Sequence, residues 1–168
     1  YALLCHSEPR NDLIFDDVIA ALEAGRSPIV LTERRDHLEH LAERLKRFAK
    51  HLIVFHGGMK ARERKESLLR CRELPAHEER VLLATGRFLG EGFDDARLDT
   101  LFLTLPVSWR GTLVQYTGRL HRNYGGKKET LVYDYLDERV PVLRRMFERR
   151  LRGYRAIGYE PPHSPAKS

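Results

Sequence analysis

The sequence holds only two cysteines, Cys5 and Cys71, far apart and in apolar or helical surroundings. That excludes a disulfide-built scaffold and a cysteine zinc site; the pair reads as reduced thiols in a cytosolic protein. None of the eight histidines has ligand spacing beside a cysteine pair, so no structural metal is expected. No apolar run approaches the ~20 residues of a membrane span, and no signal-peptide pattern is present. There is no G-x-x-x-x-G-K-[ST] loop to cradle phosphates and no D-E-x-[HD] run to hold magnesium. Those parts bind and hydrolyse a nucleoside triphosphate, so the chain alone is expected to have no such activity. Methionine is scarce as well. Met59 and Met146 are the only two and the chain opens at Tyr1, which reads as a piece of a longer protein.

What remains is a chain of 168 residues, 42% hydrophobic and 32% charged, enough for one domain with a proper core. Its net charge of +6 has one source. Between Arg139 and Arg155 stand seven arginines and one acid, Glu148, and the rest of the chain balances to zero. A localised basic stripe points to an anionic partner such as nucleic acid, or to another domain; a solvated face usually mixes signs.

The apolar pattern gives the order of elements. Tyr1 to Cys5 reads as the end of a strand, and His6 to Arg10, with Pro9, as a turn. A helix capped at Asn11 or Asp12 runs to about Ala24, with Ile14, Val18 and Leu22 on one face and Gly25 as its stop. Pro28 to Thr32 is a strand. Asp36 and Glu39 predict a capping box for a helix whose stripe is Leu38, Leu41, Leu45 and Phe48. His51 to Phe55 is a strand, His56-Gly57-Gly58 a turn, and a charged helix follows through about Arg72. Arg80 to Ala84 is a strand, then a glycine-punctuated loop runs from Thr85 to Asp95. Leu98 to Leu105 is a strand closed by Pro106, and Ser108 caps the helix that carries Gln115. After a turn at Asn123 to Lys128 come a strand from Glu129 to Tyr135 and a last helix from Val140, with Pro141 in its first turn. The segment from Gly158, rich in proline, reads as a tail over 158–168. Strands apolar throughout, alternating with helices, predict a parallel sheet covered on both faces, with ligands at the carboxyl ends of its strands.

One stretch stands out there: Gln115-Tyr116-Thr117-Gly118-Arg119-Leu120-His121-Arg122. Spacings of three and four on a helix or tight helix end turn Gln115, Arg119 and Arg122 toward one target. Arginine forks suit phosphate oxygens, so the group is suited to a polyphosphate; the plainer reading is a basic helix end with a glycine stop. Upstream, the strand ending Ala84-Thr85 leads through Gly90-Glu91-Gly92-Phe93 to Asp94. A hydroxyl and backbone amides at a strand end can hold a nucleic-acid phosphate, and a carboxylate after a tight turn can accept from ribose hydroxyls. The alternative is an ordinary strand-to-helix loop. Trp109 could stack on a base, but a single loop tryptophan more often packs against the fold.

The Gln115–Arg122 stretch resembles motif VI of superfamily-two helicases, Q-x-x-G-R-x-x-R, at every fixed position. Thr85 to Asp94 is similar to motif V, with one more residue between Thr85 and Gly92 than many relatives have. Ser27 to Thr32 resembles motif IV, and Val54 to Met59 with Arg64 resembles motif IVa. The four occur in family order over roughly Ser27 to Asp134. The resemblance implies the second, C-terminal RecA-like domain, a three-layer α/β fold over 1–157 with a mainly parallel sheet, ending in a basic helix at 139–157. It implies ATP with magnesium, bound mainly by a first RecA-like domain that this chain lacks. Arg122 would be the arginine finger, Arg119 its companion and Gln115 a contact near the terminal phosphate. Gly92 and Asp94 would face the nucleotide. Thr85, Gly57 and Gly58 would grip the nucleic-acid backbone, with Arg144, Arg145 and Arg149 adding charge. The partner strand is DNA, with RNA left open. The Gly-Glu-Gly-Phe-Asp run and the glutamine at the head of motif VI look closest to bacterial DNA repair and restriction helicases. The rival readings are a non-catalytic nucleic-acid-binding or scaffolding domain, which would not require that phosphate geometry, and a self-contained nucleotide-binding transferase, which would need a phosphate loop.

Overall fold

Five short apolar strands set the architecture: Pro28–Thr32 (β1), Leu52–Phe55 (β2), Val81–Thr85 (β3), Thr100–Leu103 (β4) and Leu131–Asp134 (β5). They pair in parallel in the order β2-β3-β1-β4-β5. The computed structural model describes residues 2–89, 93–107 and 113–161, the side chains of Arg87 and Leu89 excepted. Every residue of β1 and β4 is buried, as a strand covered on both faces requires. Side chains alternate between the faces with the period of two. Ile29 and Leu31 join Phe55, Leu82, Phe88 and Phe93 in one core; Val30 joins Leu83 and Phe102 in the other. Phe55 stacks on Phe88 at 4.4 Å between ring centroids.

The helices cover these faces: Ala2–Cys5 (α1), Glu8–Glu23 (α2), Arg35–Leu45 (α3), Ala61–Glu73 (α4), Gly86–Leu89 (α5), Val114–Leu120 (α6) and Pro141–Ala156 (α7). Ile14, Val18 and Leu22 of α2 and Leu38, Leu41 and Leu45 of α3 pack on the Val30 side. Cys71 of α4, Tyr116 and Leu120 of α6 and Tyr154 of α7 pack on the Ile29 side. Gly25, at φ +72°, ends α2 in the left-handed conformation that glycine tolerates.

Several expectations are corrected. The first residues form the helical turn α1, not a strand end. The next helix begins at Glu8, not at Asn11 or Asp12, because Pro9 sits in its first turn, where a missing N–H costs nothing. Asn11 is buried instead of capping, and its Nδ2 donates to the Cys5 carbonyl at 2.9 Å. Asp36 and Glu39 form no capping box: α3 follows Arg34 without a side-chain cap. Their carboxylates accept from Arg34 at 2.7 Å and Arg35 at 2.6 Å. Phe48 lies beyond α3, is exposed, and meets Phe15 edge-on at 5.1 Å. The ladder of β4 is also shorter than predicted, although Leu98 and Leu105 are buried beside it. Beyond Gly158, Tyr159 packs back on the body, its ring 5.3 Å from that of His121, so the first residues of the expected tail are held. Residues 162–168 lie outside the described residues, as do Gly90, Glu91, Gly92, Ser108, Trp109 and Arg110.

A buried polar relay fixes the start of the chain to the end of β1. Thr32 Oγ1 lies 3.0 Å from His37 Nδ1, and His37 Nε2 lies 3.0 Å from Asn11 Oδ1. The Asn11 oxygen can only accept, so Nε2 carries the proton and Nδ1 accepts from the threonine hydroxyl. Burial, with His40 and Arg10 nearby, pushes His37 down to about 4.

Candidate functional site

Because every strand runs the same way, all five carboxyl ends lie on one edge. The residues following those ends are Glu33, His56 to Gly58, Gly86, Thr104 to Val107, and Tyr135. The segment after α5 and the turn after α6 meet away from that edge, toward the amino ends of the strands, where Asp95 pairs with Arg80 just before β3. Arg122 Nη2 lies 3.4 Å from Asp94 Oδ2, and both side chains are exposed. The two motifs, 28 positions apart in sequence, therefore share one site.

Gln115 and Arg119 lie on α6, a turn apart on one face; Gln115 is exposed and Arg119 half-buried. Arg122 stands past the helix, which ends at Leu120 with His121 as its cap. Thr117, on the other side of α6, is buried and donates to the Leu113 carbonyl at 2.8 Å. Two guanidiniums and an amide thus face out while the helix is held from beneath. This donor set fits the oxygens of a polyphosphate. Among the described residues, no group of three His, Cys, Asp or Glu side chains converges as a metal site would require.

Glu33 and Tyr116 extend the site beyond the residues that the motifs single out. A Cβ on Gly86 would stand 2.2 Å from Glu33 Oε1 and 2.4 Å from the Tyr116 hydroxyl. A glycine just past β3 leaves room for both side chain ends as they lie. Burial raises the Glu33 carboxyl above the ordinary range. Burial also raises the Tyr116 hydroxyl; the Glu33 charge adds to this, and the Arg119 charge opposes it. Glu33 directly follows an apolar strand, and Tyr116 lies inside the motif. Those are the sequence signals that could have found them.

The other expected contacts are placed as follows. Thr85 is half-buried at the end of β3. Gly57 and Gly58 are exposed, and the Gly58 amide donates to His56 Nδ1 at 3.1 Å. Arg35 Nη1 is 2.9 Å from the same nitrogen. Burial and the Arg35 charge lower the His56 pKa. On α7, Arg144, Arg145 and Arg149 are exposed, and Arg144 reaches Glu148 at 3.3 Å. Arg150 departs from the basic stripe. It is 1% exposed, donates to both Asp134 oxygens at 2.6 and 2.8 Å, and reaches the Val107 carbonyl at 3.2 Å. It holds α7 to the ends of β4 and β5. A cavity of about 660 Å³ opens beside Asp94, with Phe88, Phe93, Arg97 and Tyr124 among its walls.

Comparison with known proteins bears on the family and the fold. The model of the helicase conserved C-terminal domain matches residues 12–124. Transcript termination protein A18 of vaccinia virus (strain Ankara) is 29% identical over 122 residues, covering 71% of this chain and 24% of that protein. The chain thus spans about a quarter of the length of that relative. Uncharacterized protein 108L of invertebrate iridescent virus 3 is 33% identical over 99 residues, covering 58% of this chain and 89% of that protein. Among solved structures, T4 UvsW superposes with a TM-score of 0.69 at 16% identity, over 92% of this chain and 34% of that one. The C-terminal domain of the DEAD-box protein Dbp5 superposes with a TM-score of 0.61 at 19% identity, over 86% of this chain and 78% of that one. The RecA-like fold is common to these structures. In the described residues no helix is long and apolar enough to cross a membrane. The matched span takes in both motifs and ends just past Arg122, before β5 and α7, and the chain belongs to the helicase conserved C-terminal domain family.

Proposed function

We propose that this chain is the second RecA-like half of an ATP-dependent helicase or translocase acting on a nucleic-acid strand, DNA on its motif sequence. The observation that carries the reading is the meeting of Arg122 and Asp94, 3.4 Å apart and exposed, beside the helix that presents Gln115 and Arg119. ATP with magnesium would be held mainly by a first RecA-like domain, and the two domains would close over it. Asp94 would then turn to the ribose, with the neighbouring cavity open to the nucleoside end, and so release Arg122. Arg122 and Arg119 would meet the charge that develops on the transferring phosphoryl group, where a planar, permanently charged fork acts best. Gln115 would contact the terminal phosphate or its water. Gly92 would shape the approach to Asp94.

The strand would be held by its backbone, through Thr85 and the turn at Gly57 and Gly58, so that grip does not depend on sequence. Arg144, Arg145 and Arg149 would add electrostatic affinity. Closing and opening of the two domains would move this grip along the strand. The Gly-Glu-Gly-Phe-Asp run and the leading Gln115 support a place among DNA repair and restriction-type helicases of bacterial kind. The vaccinia relative is named for transcript termination.

The test is ATP turnover by the chain alone and by a protein in which it is joined to a Walker-bearing first domain. The chain alone is expected to stay at the level of a contaminant control. The joined protein should hydrolyse ATP, faster with nucleic acid present. Turnover by the chain alone would contradict the half-site reading. No turnover by the joined protein would favour a binding or scaffolding domain.

A further inference from the structure

The backbone that carries Arg122 is fixed from two sides by residues outside the motif's fixed positions. Helix α6 ends at Leu120, and the last carbonyls of a helix find no partner within it. Lys127 supplies one. Its Nζ donates to the Leu120 carbonyl at 2.8 Å and to the Arg122 carbonyl at 2.8 Å. A turn brings it back: the Lys127 amide donates to the Tyr124 carbonyl at 3.1 Å, and Gly126 takes φ +89°, which other residues rarely adopt. On the other side His121 Nε2 lies 3.0 Å from the Tyr159 hydroxyl, which accepts from Thr130 Oγ1 at 3.3 Å.

A lysine that served only as a helix cap would need the Leu120 carbonyl alone. Reaching the Arg122 carbonyl as well ties the finger's own peptide to the helix end. The Arg122 side chain, by contrast, is exposed and makes a long ion pair to Asp94. The arrangement is an exposed guanidinium on a tied base. A catalytic cation gains from such a base, because a displacement of about 1 Å can cost about 10²-fold in rate.

We propose that Lys127 is the positioning residue for Arg122, holding the finger turn through two carbonyls so that the guanidinium can swing from Asp94 to the phosphates. This rests on the reading of Arg122 given above. Lys127 itself touches neither substrate nor the reacting atoms.

The experiment is a double-mutant cycle of Lys127→Met and Arg122→Ala in the protein that carries both domains, read by single-turnover hydrolysis and by KM for ATP. Lys127→Met keeps the stem and removes the donors. It should slow hydrolysis by about 10- to 100-fold with KM nearly unchanged. In the Arg122→Ala background it should cost nothing further. Lys127→Arg retains charged donors and should recover most of the rate, which also decides the case if the methionine variant fails to fold. Normal hydrolysis by Lys127→Met beside a slow Arg122→Ala would overturn the role of Lys127 and leave that of Arg122. Losses that multiply would also overturn it, since Lys127 would then act elsewhere. Normal hydrolysis by Arg122→Ala would remove both.

Discussion

At the scale of single residues, the buried His37 relay makes a pH-dependent contribution to stability. Its folded pKa of about 4 lies below the ordinary value of 6.5. Between those values the unfolded chain takes up the proton and the folded chain does not. Stability from this group is therefore complete above about pH 6.5 and is lost as pH falls toward 4. His37→Gln should lower stability at pH 7 by about 1–3 kcal/mol, through an imperfectly replaced buried relay. It should also flatten the loss between pH 6.5 and 4.5. Urea midpoints at the two pH values, for wild type and variant, measure this. Equal losses in both proteins would contradict it. The relay is hidden in the sequence because Asn11 looks like a helix cap until α2 is seen to begin at Glu8. By contrast, Arg119, Arg122 and Asp94 stand out in the sequence as candidates, since each motif is local, although the meeting of the two motifs is not. Glu33 and Lys127 do not, because their placement depends on Gly86 lacking a side chain and on a turn that returns the chain to α6.

At the scale of elements, α7 shows how a run of like charge can conceal two environments. The stripe from Arg139 to Arg155 reads as one basic surface. Folding divides it: Arg150 is buried on Asp134 of β5, with Tyr154 donating to the same carboxylate at 3.0 Å, while Arg144, Arg145 and Arg149 face out. Which arginine is buried depends on an acceptor in another element, and that is not readable from the run itself. Reversing Arg144, Arg145 and Arg149 to Glu should weaken nucleic-acid binding. It should also flatten the dependence of log affinity on log salt, by up to about 0.9 for each phosphate no longer neutralised. The melt should barely move. Arg150→Met, which strands the Asp134 carboxylate, should instead destabilise the fold by about 3–5 kcal/mol. Binding titrations over a salt series, beside thermal melts, separate the two. An unchanged salt slope in the triple variant would make this face a solvated one or a surface that meets another domain.

At the scale of the whole molecule, the parallel sheet is legible because strands apolar throughout alternate with helices, and few other folds bury such strands. Three stretches differ in kind: α1 replaces the expected strand end, α2 begins inside the expected turn, and α5 opens the expected loop after β3; at the first a five-residue apolar run does not distinguish strand from helix. The sheet then does what no single motif can. Its crossovers bring the Asp94 loop to the Arg122 turn. The account stands on the claim that this meeting is half of an ATP site completed by another domain. Single-turnover ATP hydrolysis by Arg122→Ala in the two-domain protein, measured beside nucleotide affinity, tests it most directly. The rate should fall by about 10³-fold or more, because the arginine acts where charge develops, while affinity changes far less and the melt stays intact. Arg122→Lys should recover little, since a point charge cannot reproduce the planar fork. Near-normal turnover by a well-folded Arg122→Ala protein would contradict the account.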